Sequence, residues 1–398
     1  MKKWIWLVLA ILVAFAAVVG SGFLRQGEQP SVIETIKVEN PHLGKEDKGT
    51  RGGGDTGNVF DSFSASPRLN LSASSEASPR LNFSVSSPPQ VSASKLFAHV
   101  QNLNFKRYTD AERSRTRTYI TRELKKLGWK SQLQKFSEGV NVFAERKGTD
   151  KQAGAILVGA HYDTVAISPG ADDNASGVAV LLEIARLLGS RPTPRTLQLV
   201  FFDKEEAGLL GSRAFVTKTA YLLKNLRGVI VMDMVGYACH TPGCQKYPAG
   251  LPITPPSDKG DFLAVVGDTE NLPLLNVFQH LNSVAVKPEN KRSFDNKNIS
   301  VSPHLGASAS ISLPPIFTLP VPFKGLLIPD TLRSDHAPFW LQGVGAVLVT
   351  DTANLRSPHY HQPSDTPKTI DRNFFTGAAQ VVVNATMVFL ENQKELRQ

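Results

Sequence analysis

A short stretch between two apolar runs places one imidazole and three carboxylates close together in the sequence. The first run, Ala155–Val158, predicts a buried strand, and the second, Val178–Leu188, predicts a mostly buried helix. The charged side chains between them are His161, Asp163, Asp172 and Asp173. Charged groups at the end of a buried strand are costly unless they are paired or bind a metal. Because open α/β sheets bind ligands at the carboxyl ends of their strands, we expect a metal site here.

Three later apolar runs end in the same way. The predicted strands are Leu197–Phe202, Val229–Met232 and Gly345–Val349. The acids and histidines that follow them are Asp203, Glu205, Glu206, Asp233, Asp351, His359 and His361. Four charged strand ends in succession indicate a shared site at one edge of a sheet.

Helical periodicity alternates with these strands, and it is clearest at Thr109–Leu127, Leu272–Val284 and Phe374–Gln393. An earlier pair of runs, Trp129–Phe136 and Val140–Arg146, predicts a hairpin. The alternation predicts an α/β fold, a three-layer sandwich with a mainly parallel, mixed central sheet.

A pair of divalent metal ions rationalises the charged strand ends. Two Zn²⁺ ions about 3.5–4 Å apart need a bridging ligand, which a carboxylate can supply. Asp172 or Asp173 is the candidate bridge. The expected terminal ligands are His161, His361, Glu206 and Asp233, and of the adjacent Glu205 and Glu206 one would bind metal while the other reaches the water. Ligation through nitrogen and oxygen without thiolate suits zinc.

Five short motifs occur in a specific order along the chain. They are His161–Asp163, Gly170–Gly177, Phe202–Glu206, Met232–Met234 and Tyr360–Thr366. Together they resemble the di-zinc aminopeptidases of metallopeptidase family 28, whose relatives include glutaminyl cyclases. The resemblance implies the zinc exopeptidase-like phosphorylase/hydrolase fold and two Zn²⁺ ions per chain. It excludes a Ser-rich stretch at about residues 293–313, which predicts a surface insertion.

The same resemblance assigns the metal ligands. His161 and Asp233 would bind one zinc ion, Glu206 and His361 would bind the other, and Asp173 would bridge the two. Asp172 would then be a structural acid.

Other residues take roles around the metals by the same resemblance. Glu205 would be the general base, Asp163 would orient the ring of His161, and Tyr360 would stabilise the oxyanion. Ser334–Trp340 also resembles a segment that lines the family's site. Ser334, Asp335 and His336 are therefore expected around the substrate pocket.

The activity implied is that of a zinc-dependent aminopeptidase, which hydrolyses N-terminal residues from peptides or proteins with metal-activated water and Glu205 as base. Two alternatives stay open: a glutaminyl cyclase-like acyltransferase with one zinc ion on the same scaffold, and a non-catalytic ectodomain. The intact ligand set favours the peptidase.

The N-terminus predicts membrane association. After a short cytoplasmic stub, Met1–Lys3, the uncharged and largely apolar run Trp4–Leu24 is long enough to span a bilayer. A cleaved signal peptide is the alternative, and it would give a secreted protein. Residues 25–94 are rich in Ser, Gly and Pro and predict a disordered linker. The catalytic domain, residues 95–398, is expected outside the cytoplasm, in the periplasm or the extracellular space.

Composition adds two expectations. The net charge is +9 but no Lys/Arg block interleaves with aromatic residues, so a nucleic-acid partner is not expected. The two cysteines, Cys239 and Cys244, could close a small disulfide loop in an exported protein, with free thiols as the alternative. A zinc site is disfavoured because a structural site needs four ligands.

Overall fold

A computed structural model describes residues 88–248, 257–285 and 311–392. The predicted membrane segment, nearly all of the linker and most of the Ser-rich insertion lie outside these residues. Ile311 and Leu313, at the end of that insertion, are partly buried against the core.

Eight strands form one sheet. They are β1 (Ser131–Lys135), β2 (Val140–Arg146), β3 (Ala155–His161), β4 (Thr196–Phe202), β5 (Leu226–Met232), β6 (Leu263–Asp268), β7 (Ile316–Val321) and β8 (Ala346–Thr350). The strand order is β1-β2-β4-β3-β5-β8-β6-β7. The pairs β4–β3, β3–β5, β5–β8 and β6–β7 are parallel. The pairs β1–β2, β2–β4 and β8–β6 are antiparallel. This mixed, mostly parallel sheet confirms the predicted α/β fold.

Helices cover both faces of the sheet. They are α1 (Ala93–Asn102), α2 (Asp110–Lys126), α3 (Gly177–Leu188), α4 (Leu210–Lys218), α5 (Ala220–Leu223), α6 (Leu272–Ala285), α7 (Ala337–Leu341) and α8 (Arg372–Glu391). Side chains alternate across each strand, so Ile156 and Val158 of β3 face a core built with α1, α3, α6 and α8. Leu157 faces a second core built with α4 and α7. Two cores on one sheet make the three layers.

Local sequence explains where the helices begin and end. Thr109 caps α2 in a capping box with Glu112, and Gly128, at φ +81°, follows its last turn. Asp371 caps α8 by accepting hydrogen bonds from two backbone amides. Within the described part of the chain, α8 alone has the length and apolar composition of a membrane span, and most of it is buried inside the domain.

Helix α1 and strand β7 are among the elements that the sequence patterns do not predict. Helix α1 begins at Ala93, just before the predicted domain start, and the backbone N–H of Val91 already donates to Gln380 Oε1 at 3.0 Å. Strand β7 contains Pro320, which breaks the usual strand pattern. It forms the edge of the sheet, where a residue without an N–H is tolerated.

Candidate metal centre

The carboxyl ends of the parallel strands bring the charged side chains to one edge of the sheet. His161 ends β3, and Glu206 and Asp233 follow β4 and β5. Asp173 lies in the loop between β3 and α3, and His361 lies in the long loop after β8. These five side chains form two groups whose nitrogen and oxygen atoms lie within 4.8 Å of one another: His161, Asp173 and Asp233, and Asp173, Glu206 and His361.

Asp173 belongs to both groups. Its Oδ1 lies 3.4 Å from His161 Nε2, and its Oδ2 lies 3.3 Å from His361 Nε2. Asp233 Oδ1 completes the first group at 3.4 Å from His161 Nε2. A carboxylate that turns one oxygen to each group has the arrangement of a ligand shared by two metal ions.

The donor atoms fit such ions. All are imidazole nitrogens or carboxylate oxygens, which suits zinc and similar divalent metals. Glu206 Oε2 lies 2.9 Å from His361 Nε2, while Glu206 Oε1 is buried without a hydrogen-bond partner among the described residues. A buried acceptor without a partner is unfavourable in a protein interior, and a bound cation would satisfy it.

The electrostatics of this cluster follow from burial and crowding. Burial acts to lower the pKa of His161, but the charge of Glu205 and hydrogen bonds to the neighbouring aspartates outweigh it and raise that pKa well above its usual value. His361 behaves alike beside Asp173 and Glu206, with its pKa raised to about 10. Burial raises the pKa of Glu206 to about 7. The cluster therefore favours positive charge at its centre.

Asp163 connects the two sides of the site. Its Oδ1 lies 3.5 Å from His161 Nδ1 and accepts the backbone N–H of Glu205 at 3.0 Å. Its Oδ2 accepts the N–H of Glu206 at 3.3 Å. One buried carboxylate thus lies beside the imidazole of His161 and holds the turn that carries both glutamates.

Glu205 lies in the same cleft as the metal-binding groups. We call this the metal cleft; its walls include Asp173, Glu205, Glu206, Asp233, Tyr360 and His361. Burial is the largest influence on Glu205 and raises the pKa of its carboxyl well above the usual value, although His161 acts in the opposite direction. The preceding residue, Lys204, is left-handed at φ +59°, and this tight turn after β4 directs the chain back over the sheet edge.

Asp172 points away from both groups. Its Oδ1 accepts the N–H of Gly236 at 2.8 Å, and burial beside Asp351 raises its pKa well above the usual value. His359 also lies outside the two groups, with its Nδ1 2.9 Å from Ser364 Oγ. Asp172 and His359 therefore make hydrogen bonds that support the loops around the two groups.

Tyr360 covers His361. The two rings stack with centroids 3.7 Å apart, and Arg333 Nη2 donates to the Tyr360 hydroxyl at 3.1 Å. Arg333 is absent from the residues suggested by the sequence. It lies outside every sequence motif and 27 positions before Tyr360, so only the folded chain brings the two side chains together.

The segment Ser334–His336 divides its side chains between different environments. Ser334 lines a cavity beside the metal cleft. Asp335 is fully buried, and burial raises its pKa to about 7, against the opposing charge of His161. The Nε2 of His336 hydrogen-bonds the carbonyl of Thr331 at 2.8 Å, and burial lowers the pKa of this imidazole to about 4. Ser334 therefore lies at a cavity wall, whereas Asp335 and His336 line neither that cavity nor the metal cleft.

That second cavity, which we call the apolar pocket, has a volume of about 130 Å³. Its walls share Asp233, Arg333 and Tyr360 with the metal cleft, so the two cavities adjoin. Much of its remaining wall is apolar, and six of its side chains come from β6, β7 and β8. A nearby disulfide joins Cys239 to Cys244 in the loop that follows Asp233.

Comparison with known proteins places this site in a family. A profile described as "Peptidase family M28" matches residues 141–254. The chain is 33% identical over 249 residues to the uncharacterized protein YfbL of Escherichia coli, covering 60% of this chain and 67% of YfbL. It is 44% identical over 87 residues to aminopeptidase YwaD of Bacillus subtilis, covering 22% of this chain and 19% of that protein.

A solved structure supports the same fold. LapA of Legionella pneumophila is similar with a TM-score of 0.56 at 18% identity, covering 76% of this chain and 74% of LapA. At that identity the similarity concerns the fold. The sequence matches carry the family assignment: the chain belongs to peptidase family M28.

Proposed function

We propose that this chain hydrolyses the N-terminal residue from peptides with two zinc ions held at the metal cleft. The observation that carries the proposal is the position of Asp173 between the two ligand groups. His161 and Asp233 would hold one ion, and Glu206 and His361 the other. Bound there, the ions would supply Lewis acidity and lower the pKa of water.

Glu205 is the proposed general base. It lines the metal cleft but belongs to neither ligand group, so its carboxylate is available to take a proton from water. Burial raises the pKa of this carboxyl, so after taking the proton it can hold that proton and return it to the leaving amine. Asp163 positions it by accepting its backbone N–H.

Tyr360 is the proposed donor to the developing oxyanion. Because Arg333 donates to the phenol oxygen, the phenol hydrogen can point to another acceptor in the cleft. The stacking of the ring on His361 holds the phenol oxygen at the wall of the cleft. A positioned donor of this type stabilises negative charge that forms during attack on a carbonyl.

The apolar pocket is the proposed site for the side chain of the N-terminal residue. Its floor consists of six side chains on one face of three adjacent strands: Ala264, Val266, Phe317, Leu319, Leu348 and Thr350. Ala264 pairs with Thr350 on one side and with Phe317 on the other, so a small residue lies at the centre. A dry cavity of this size can take a small ring or a branched aliphatic chain. We therefore expect a preference for leucine or phenylalanine over charged residues.

The acidic cleft beside that pocket suits a free α-amino group. Asp173, Glu205, Glu206 and Asp233 all line it. A blocked N-terminus would lack the positive charge that these groups favour. This is the basis for proposing an exopeptidase.

Substitution of Glu205 tests the catalytic role. Glu205→Gln should lower kcat on leucine anilide by about 10²–10⁴-fold, the usual contribution of a general base, while metal analysis still finds two zinc ions per chain. Glu138→Gln, on an exposed turn, is the matched control and should keep full activity. Retained turnover in Glu205→Gln would rule out this role.

Substitution at the pocket floor tests the substrate class. Ala264→Phe should lower kcat/KM for leucine anilide by about 10–200-fold and leave alanine anilide nearly unchanged, because only the larger side chain needs the space. An equal loss on both substrates would place the substrate side chain elsewhere. Release of ammonia from an N-terminal glutamine peptide, with one zinc ion per chain, would instead support a glutaminyl cyclase.

We also propose that the chain is anchored in a membrane by Trp4–Leu24, with the domain outside the cytoplasm. The anchor would hold peptide hydrolysis close to the membrane surface. The disulfide between Cys239 and Cys244 is consistent with an oxidising compartment. Fractionation of the full chain tests this: activity should sediment with membranes and become soluble when residues 1–24 are deleted.

A further inference from the structure

A fully buried arginine lies against the loop that carries Asp173. Arg107 is 0% exposed, and its guanidinium donates to the carbonyls of Tyr162, Pro169 and Gly170 at 2.7, 2.7 and 2.8 Å. It also donates to the carbonyl of Asp173 at 3.4 Å. Its direct partners are backbone oxygens, so the group contributes a buried positive charge to the carbonyl side of the loop.

A buried carboxylate lies on the other side of the same loop. Asp365 is 1% exposed, and its two oxygens accept the backbone N–H groups of Asp172 and Asp173 at 2.9 and 3.1 Å. It lies four positions after His361, in the same loop. Asp365 therefore connects the backbone of the shared ligand to the segment that carries a ligand of the second group.

We propose that Arg107 and Asp365 are positioning residues that clamp the Asp173 loop from opposite sides, and that this clamp keeps Asp173 between the two metal ions. The inference rests on the proposed two-zinc centre. A cation on the carbonyls and an anion on the amides together fix both edges of one peptide segment. Neither residue lines the metal cleft or the apolar pocket, and neither belongs to a ligand group.

The fit of Arg107 to the loop is too close to be incidental. Gly170 adopts φ +60°, and a Cβ at that position would lie 2.6 Å from Arg107 Nη2 and 2.1 Å from the carbonyl oxygen of Asp173. The glycine thus permits the guanidinium to reach the loop. The backbone of Arg107 is held as well, because its N–H donates to Thr164 Oγ1 at 2.9 Å.

The chain offers a matched control for each clamp residue. Arg195 is also buried, and it donates to the carbonyls of Ala153 and Phe389 at 3.1 and 2.6 Å, at the sheet edge opposite the ligands. Asp371 also accepts two backbone amides, from Asn373 and Phe374 at 3.0 and 2.9 Å. Their substitution removes hydrogen bonds of the same kind away from the Asp173 loop, although Asp371 is more exposed than Asp365 and also pairs with His240 at 3.0 Å.

The experiment measures zinc affinity of the purified protein by competition with a chromophoric chelator. Arg107→Met and Asp365→Asn should each raise the Kd of both zinc ions about 10–100-fold, the usual effect of losing a group that supports a metal ligand. Both ions should be affected because Asp173 is shared. Arg195→Met and Asp371→Asn should change Kd less than about twofold while lowering the unfolding midpoint.

Each outcome decides the proposal. Arg107→Lys keeps the charge but loses the planar fork, so it should also weaken zinc binding, and it replaces Arg107→Met if that variant does not fold. Clamp variants that bind zinc like wild type, yet lose as much stability as the controls, would overturn the clamp and leave the proposed function intact. Absence of tight zinc binding by the wild-type protein would overturn both.

Discussion

The loop that carries Asp173 should be unusually intolerant of a single added methyl group at Gly170. This residue is left-handed, at φ +60°, where a residue with a Cβ is disfavoured. The methyl of Gly170→Ala would also meet the Asp173 carbonyl oxygen at 2.1 Å, Thr164 Cγ2 at 2.4 Å and Arg107 Nη2 at 2.6 Å. All three atoms belong to groups held by hydrogen bonds, so they cannot move aside without further loss.

The expected magnitude combines two contributions. The left-handed conformation costs a residue with a Cβ about 1–2 kcal/mol. Reduced freedom of the unfolded chain offsets about 0.4–1 kcal/mol of that. Crowding in a packed region adds about 1–3 kcal/mol. Gly170→Ala should therefore lower the free energy of unfolding by about 2–4 kcal/mol.

Gly128→Ala separates these contributions. Gly128 is also left-handed, at φ +81°, but a Cβ there would meet no atom within 4 Å. It should lose only about 1 kcal/mol, because crowding is absent. Urea unfolding of both variants in the presence of a chelator measures the difference without a contribution from metal binding. Losses that agree within about 0.5 kcal/mol would refute the crowding at Gly170.

Three further predictions concern stability. Burial lowers the pKa of His336 to about 4, so below about pH 6.5 the unfolded chain binds a proton that the folded chain does not. The free energy of unfolding should therefore fall by up to about 3 kcal/mol as the pH is lowered toward 4. Urea unfolding of His336→Gln should show a smaller loss over the same pH range. Replacing Cys239 and Cys244 by alanine should cost about 2 kcal/mol of loop entropy, and a reductant should then leave the unfolding midpoint unchanged. Asp203→Ala should cost about 3–5 kcal/mol in urea unfolding, because it leaves buried Arg113 without the carboxylate 2.9 Å from its Nε.

Much of the candidate metal centre could be anticipated because its proposed ligands follow apolar runs. His161 ends one parallel strand, Asp233 directly follows a second and Glu206 lies four positions after a third, and parallel strands end at a common edge. Position in the chain therefore implied proximity in space. The fold followed from the same runs, since alternating strands and helices leave few arrangements that bury both faces of a sheet.

The supporting residues could not be anticipated in the same way. Arg107 lies in a polar segment before α2, where an arginine is ordinarily exposed. Its burial depends on carbonyls contributed by residues 55–66 positions later, and no local pattern encodes that separation. Arg333 and Tyr360 meet for a similar reason. Long-range hydrogen bonds to backbone carry information that only the folded chain reveals.

The reversal of two strands explains why the charged and apolar parts of the site lie side by side. Strands β3, β4, β5 and β8 run in one direction and deliver their charged ends to the functional edge. Strand β6 runs antiparallel to β8, and β7 runs parallel to β6. The N-terminal ends of β6 and β7 therefore lie at the functional edge. Asp268, at the end of β6, consequently lies at the opposite edge. The beginnings of β6 and β7 supply Ala264 and Phe317 to the apolar pocket. The direction of each strand therefore determines the character of this edge. The strands that end there form a polar half that would hold metal, and the strands that begin there form an apolar half that would receive the substrate side chain.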